Sequence, residues 1–347
     1  MHERLALGSL ELNLKEALTP FLDFPQKKGS YSNEDEFKGV VDTAVRAVNR
    51  HMSSFPYFYL DNYDIDFDFE IDGKNNYEFL LESFQQFLLI PVISIDRDDG
   101  HISAVASAKD TGIVSGNSLA LRFMRDEFVS FNVVKDEIRD RLENVMDKFE
   151  VVDLVLDCRV CNNLDVDAIS SEIASFIREF TQVYEVRHII VSGSSIPPSI
   201  SDLISAGDEV EIERNELKIF NQVCANLGDQ YDLVLGDYGV VSPDYSDVNI
   251  SPEMMQNVIT PKIIYSFEGS HYITRGNGIK TSPRKLRQYN DQASVLVGKH
   301  FYRSESYSDG DRFISEKSRG IGSQVTPATI IRPTMNAHIT YMCKDYN

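Results

Sequence analysis

Arg122, Asp157, Arg214 and Asp237 each stand at or beside the end of a short apolar run: SLALRF, VDLVLD, EVEIER and DLVLGDYG. Asp23, Asp61 and Ser192 hold the same position in FLDF, YFYLD and HIIVSG. If the runs are parallel strands of one sheet, these side chains gather at one rim. Carboxylates beside guanidiniums could hold a divalent metal such as Mg²⁺, cradle a phosphate, or work as acid and base. They could equally be ion pairs that close the top of the sheet, with no turnover. Spacing alone leaves these open.

Three motifs sharpen the picture. GDYG (236–239) sets an acid and a phenol between two glycines that let the backbone turn tightly. ERNE (213–216) puts Arg214 and Glu216 at a strand-to-helix junction. VSGSSIPPS (191–199), which contains Ser194, has the small residues of a phosphate-binding turn but not the lysine of a P-loop. Cys158 and Cys161 have zinc-like spacing, yet Cys224 and Cys343 supply no second pair. No GxSxG, HExxH or Walker motif occurs, and the seven histidines form no cluster along the chain. His188, beside an apolar run, reads as a packed histidine.

The elements that must position these groups recur about every 30 residues. Eight strand-sized runs (FLDF, YFYLD, LIPVISID, SLALRF, VDLVLD, HIIVSG, EVEIER, DLVLGDYG) alternate with amphipathic, helix-length stretches. Those stretches lie at 34–50, 76–88, 133–149, 165–180 and 215–228. Most of the runs are nearly continuous in apolar residues, as strands covered on both faces are. The alternation predicts an α/β fold, a (β/α)8 TIM-like parallel barrel over residues 1–298. Beyond residue 240 the pattern loosens: SPDYSDVNISPEMMQ reads as a loop, KIIYSF and HYITRG as a strand pair, SPRKLRQYNDQASVLVGKH as a helix. Residues 299–347, rich in Ser, Gly and Pro with β-like TIIRP and HITYM, read as an irregular extension packed on the same domain.

The bulk composition excludes whole classes. A formal charge of −20 over 347 residues argues against general nucleic-acid binding. No apolar run approaches the ~20 residues that cross a bilayer, and no signal peptide opens the chain. Four cysteines make no disulfide framework, so the expected location is the cytoplasm. Charge is uneven: residues 61–72 (DNYDIDFDFEID) hold six acids and no base, reading as a solvated loop or edge, or as a metal- or partner-binding site. Residues 271–319 hold ten Lys or Arg against five acids, where an anionic ligand would be welcome.

HIIVSGSSIPPSI, IERNELKIFNQV, DLVLGDYGVVSP, RGN and SDGDRFI follow one another in this order, after ELNLKEALTPFLDFP, LALRF and VDLVLD. Together they resemble the "beta protein" family of bacteria and phages over most of the chain. The resemblance implies a barrel-like fold and a place in mobile or antiphage-defence neighbourhoods, often beside a nuclease-like partner. Its recurring positions fall on Arg122, Asp157, Ser194, Arg214, Glu216, Gly236, Asp237, Tyr238, Arg275, Gly310 and Asp311. The family's tail carries paired histidines; here only His338, in Ala337-His338, matches. Two functions follow. In the first, Asp157, Asp237 and Glu216 act as acid, base or Mg²⁺ ligands, and Arg122, Arg214, Ser194, Tyr238 and Arg275 bind a phosphate-bearing molecule such as a nucleotide, in a conflict system. In the second, the chain is a non-catalytic acidic partner that inhibits or positions a nuclease-like effector.

Overall fold

The computed structural model describes residues 2–26, 31, 33–245 and 259–346. Its strands are β1 Phe21–Asp23, β2 Phe58–Asp61, a small hairpin β3 Glu70–Ile71 and β4 Lys74–Asn75, β5 Leu89–Ile93, β6 Ser118–Met124 and β7 Val151–Val160. Then come β8 Ile189–Ser194, β9 Glu209–Glu213, β10 Leu233–Asp237, β11 Lys262–Phe267 and β12 Ser270–Arg275. Helices α1 His2–Gly8 and α2 Leu12–Glu16 precede β1, and α3 Glu34–His51, α4 Asn76–Phe84 and α5 Asp99–Asp110 follow in turn. Helix α6 Phe131–Glu137 passes through a π turn, Ile138–Leu142, into α7 Glu143–Met146. The series ends with α8 Val166–Phe180, α9 Asn215–Leu227, α10 Gln288–Val297, α11 Asp309–Ser318 and α12 Ile331–Asp345.

Seven strands pair in parallel in the order β1-β2-β5-β6-β7-β8-β10. Among the described residues β1 and β10 do not pair, so the sheet is a half-barrel open at that seam. EVEIER leaves the expected series of eight: as β9 it pairs antiparallel with β12, whose other neighbour is β11. The reason is its composition. Glu209, Glu211 and Glu213 are exposed while Val210 and Ile212 turn inward, the alternation of a strand covered on one face only. SPDYSDVNISPEMMQ lies beyond the described residues from 246 onward.

Helix starts are set by side-chain caps: Asn33, Asn75, Asp98, Asp165 and Ser308 each accept a backbone N–H one turn on. The outer face of the sheet, with Leu121, Phe123, Leu154 and Val191, packs on α3, α4, α5 and α8 in the largest apolar core. Phe123, Phe131, Phe176 and Phe180 form an aromatic knot there, with centroids 5.5–6.2 Å apart. Burying each such ring fully contributes roughly 1.5–3 kcal/mol.

Inward-facing side chains form three layers, as barrel interiors do. At the floor, Asp153 accepts from Tyr59 Oη at 2.8 Å and from Arg187 at 2.5 and 2.9 Å. The middle layer is apolar: Ile90, Val92, Ala120, Val155 and Ile190 around the Tyr59 ring. The top layer is ionic and forms the candidate site.

The C-terminal extension is helical, not irregular: TIIRP leads into α12 and HITYM lies within it. Pro333 is accommodated because it sits in the first turn, where its missing N–H costs no helical hydrogen bond. Burial around much of the helix, from Pro333 to Tyr341, outweighs the β-like local composition. Gly310 is where α11 and α12 touch. A Cβ there would collide with the Pro333 carbonyl and lie 2.6 Å from the Ala337 nitrogen. Gly310→Ala should therefore cost about 1–3 kcal/mol as overpacking. Gly39, inside α3, has nothing within 4 Å of its Cβ position. Gly39→Ala should gain about 0.5–1 kcal/mol from helix propensity. Denaturant melts of the two variants against the parent check both signs.

Candidate functional site

Parallel register brings four expected residues together at the top of the half-barrel. Asp23 lies opposite Asp61, and Asp157 pairs with Met124 on β6 and Ser192 on β8. From β6, Arg122 reaches into their midst. Its Nη1 donates to Asp23 and Asp61, both at 2.7 Å. Nη2 donates to Asp157 at 2.6 Å and Tyr238 Oη at 2.8 Å, and Nε to Asp157 at 3.1 Å. All five N–H groups of this 1 % exposed side chain are thereby engaged. Tyr238 donates in turn to Asp157 at 2.5 Å, and the Arg159 amide adds a bond of 2.8 Å. Burial alone would raise the Asp157 pKa, but Arg122 and the Tyr238 hydroxyl hold it below the usual carboxylate range.

Sequence reasoning missed the layer above. Tyr63 lies beneath three guanidiniums: Arg159, Arg97 and Arg122 sit 4.5, 4.8 and 5.1 Å from its ring centroid. Arg97 also donates to Asp61 at 3.0 Å, so Asp61 bridges two arginines. Arg159 occupies a β-bulge with φ +47° and donates to Asp244 and the Pro243 carbonyl, each at 2.7 Å. Both had a signal within reach. Arg97 stands one residue past LIPVISID, and Arg159 lies between the two cysteines that suggested zinc. Those cysteines are buried free thiols, and burial pushes the Cys161 thiol up to about 12.

A second cluster adjoins the first because consecutive residues of GDYG part ways. Tyr238 joins Arg122, while Asp237 accepts from Arg214 at 2.5 Å. Gly236 allows this strand to approach β8, where a Cβ would collide with Ser192, and Gly239 takes φ +72°. Arg214 also donates to Glu216 at 2.7 Å, and Ser195 adds a bond of 2.5 Å to that carboxylate. His338 Nε2 donates to Asp237 at 3.0 Å, and its Nδ1 meets Ser266 Oγ at 2.6 Å. The same hydroxyl meets His271 Nδ1 at 2.9 Å, and His271 Nε2 lies 3.8 Å from Glu216. Arg214, Asp237, His338, Ser266, His271 and Glu216 form a ring of neighbours that is hydrogen-bonded except at one step, where His271 Nε2 is buried without a hydrogen-bond partner among the described residues. Burial, with Arg214 and His338 nearby, pushes the His271 pKa well down, so it is neutral. Burial would raise the Asp237 pKa, but Arg214 and His338 hold it far below the usual range. Two of the seven histidines, His271 and His338, far apart along the chain, meet in space, and the tail's His338 belongs to the site.

Two expected residues stand apart. Ser194 Oγ accepts from the Ile196 amide at 3.1 Å and donates to the Val241 carbonyl at 3.2 Å, pinning a turn. That turn leads into a short 3-10 turn, Ile200–Asp202, so the expected phosphate cradle lacks a helix N-terminus. Arg275 lies at the opposite end of the β9–β12 pair from Arg214, since β12 runs back along β9.

Chemically, Asp157, Asp237 and Glu216 are saturated by donors, which suits shape-holding ions better than bases or nucleophiles. Among the described residues no three His, Cys, Asp or Glu side chains are arranged to hold a metal ion. The rim holds an excess of acid. Burial raises the Asp64 pKa to about 6 against the pull of Arg159, and raises Asp23 and Asp96 too. Beyond Asp64, Asp66, Asp68 and Glu70 form an exposed ledge with no ion pair among the described residues.

A family model described as Beta protein matches residues 1–344. No curated protein and no solved structure matches the chain. Among the described residues no helix is long and apolar enough to cross a membrane.

Proposed function

We propose that this chain, which belongs to the Beta protein family, is a binding component of a bacterial or phage conflict system, acting in the cytoplasm in antiphage defence. In this reading the sheet is a TIM-like barrel opened at one seam. Its ionic top layer is scaffolding that fixes an acidic face, and that face docks a basic, nuclease-like effector protein. The observation that carries the reading is the exposed ledge Asp66, Asp68, Glu70, without an ion pair among the described residues and next in the chain to Asp64 of the acid-rich rim. A cationic surface would relieve this charge, and the overall −20 would speed its approach. Saturation of Asp157, Asp237 and Glu216 favours binding over turnover.

The test replaces Asp66, Asp68 and Glu70 by Asn, Asn and Gln in a phage-plating assay. Protection should fall at least tenfold while the melt stays parental. Full protection by a stably folded triple variant would overturn the reading. A second reading, a phosphate-bearing ligand at the rim, is favoured by one observation. Arg97 Nε and Nη1 and Arg159 Nη1 are buried without hydrogen-bond partners beside Tyr63. Stabilisation by orthophosphate that disappears in Arg159→Gln would support it.

A further inference from the structure

A cleft of about 830 Å³ lies away from the ionic rim, between the turn before β9, the end of β12 and the start of α10. We infer that it binds a nucleoside phosphate, independently of the acidic ledge.

Its size is that of a small-molecule site, and apolar and polar groups share its walls. Leu203, Ile204, Val210 and Val295 supply the lining. Gln292, 7 % exposed, donates through Nε2 to the Pro261 and Thr274 carbonyls at 3.1 and 3.3 Å. Those two acceptors fix the amide's orientation, because flipping it would set oxygen against oxygen. Its Oε1 is left buried with no donor. A buried acceptor without a partner is destabilising, and a ligand N–H would relieve it.

Arg275 provides the complementary end. Its Nε donates to Thr260 at 3.1 Å and Nη1 to the Ile204 carbonyl at 2.7 Å, which hold the guanidinium in place. No carboxylate neutralises it among the described residues, and its Nη2 makes no hydrogen bond there. Held in place and without an ion pair among the described residues, the Arg275 guanidinium can meet an anion that enters the cleft. Arg284 at the same wall is neutralised by Asp291, which leaves Arg275 as the cation an anion would meet.

The ligand must therefore carry an anion for Arg275 and, across an apolar body, an N–H for Gln292 Oε1. Asp208 lines the cleft without an ion pair and offers a second acceptor for N–H groups. A nucleobase with its amino and ring N–H groups, joined through ribose to a phosphate, meets both demands. A free amino acid has the same charges but fills only a small part of this volume.

The test is calorimetry on the full chain with GMP, AMP, ribose 5-phosphate and guanosine. At least one nucleotide should bind saturably, and the two fragments at least tenfold more weakly. Arg275→Gln should weaken nucleotide binding at least tenfold. Because Arg275 also holds the Ile204 carbonyl, Val295→Trp is the second variant. Val295 is 47 % exposed, so the indole fills the cleft without disturbing a buried partner. It should block binding with a parental melt. The neutralised ledge should bind nucleotide like the parent, which separates failure of this site from failure of the ledge. Absence of millimolar binding by both nucleotides, or parental binding by Val295→Trp, would overturn the proposal.

Discussion

Arg122→Met is expected to destabilise the protein by about 3–5 kcal/mol, the usual consequence of leaving buried charges without their partner. The volume is nearly conserved, so the loss is electrostatic. Asp23 loses its one ion-pair partner among the described residues, Asp61 keeps Arg97 and the Asn62 amide, and Asp157 keeps the Tyr238 hydroxyl and the Arg159 amide. The pH dependence identifies the cause. In the parent, Asp157 is depressed, so its contribution is present above the unfolded pKa and lost as pH falls through the folded one. In the variant the orphaned carboxyls have folded pKa values above their unfolded ones. Their protonated form is then favoured by folding, and stability falls as pH rises through those values. The deficit should thus shrink between pH 8 and pH 5 in urea melts. A deficit independent of pH would mean that packing, not charge, was lost.

Arg214→Met should act on a different part of the molecule, at a cost of about 3 kcal/mol. Asp237 is 16 % exposed at its side chain, so water relieves part of the burden there. Glu216 is nearly fully covered and bears the rest. The ring joins β10 through Asp237, the second sheet through Ser266 and His271, and α12 through His338. Breaking it should loosen α12 from that junction, visible as faster amide exchange from Thr334 to Tyr341 while β6 and β7 stay protected. A double-mutant cycle between Arg214 and His338 should give a coupling of about 0.5–3 kcal/mol. Additive effects would show that the ring is not one unit.

The residues themselves explain how much of this was legible. VDLVLD and HIIVSG announce buried parallel strands because both faces are covered, and their register makes Arg122 meet Asp157. EVEIER carried its own warning, since every second residue is a glutamate. Arg275 was grouped with Arg122 and Arg214 through the family resemblance, and the antiparallel β12 sends it to the opposite end of the second sheet from Arg214. HITYM looks like a strand because its neighbours favour one locally, whereas its state is fixed by packing on α1, α11 and β11. Tyr63 was hidden in a run whose acids suggested a plain solvated edge. The pairing of His338 with Asp237 spans 101 residues, and nothing local encodes it.

The central claim is that the acidic ledge docks a basic protein partner while the ionic layer beneath only shapes it. The most direct measurement is the affinity of the full chain for the proposed basic, nuclease-like partner, as a function of salt, with and without Asp66→Asn, Asp68→Asn and Glu70→Gln. The account predicts that the parent binds, that affinity falls as salt rises, and that the triple variant binds at least tenfold more weakly with a shallower salt dependence. Equal affinity for parent and variant at every salt concentration would contradict it.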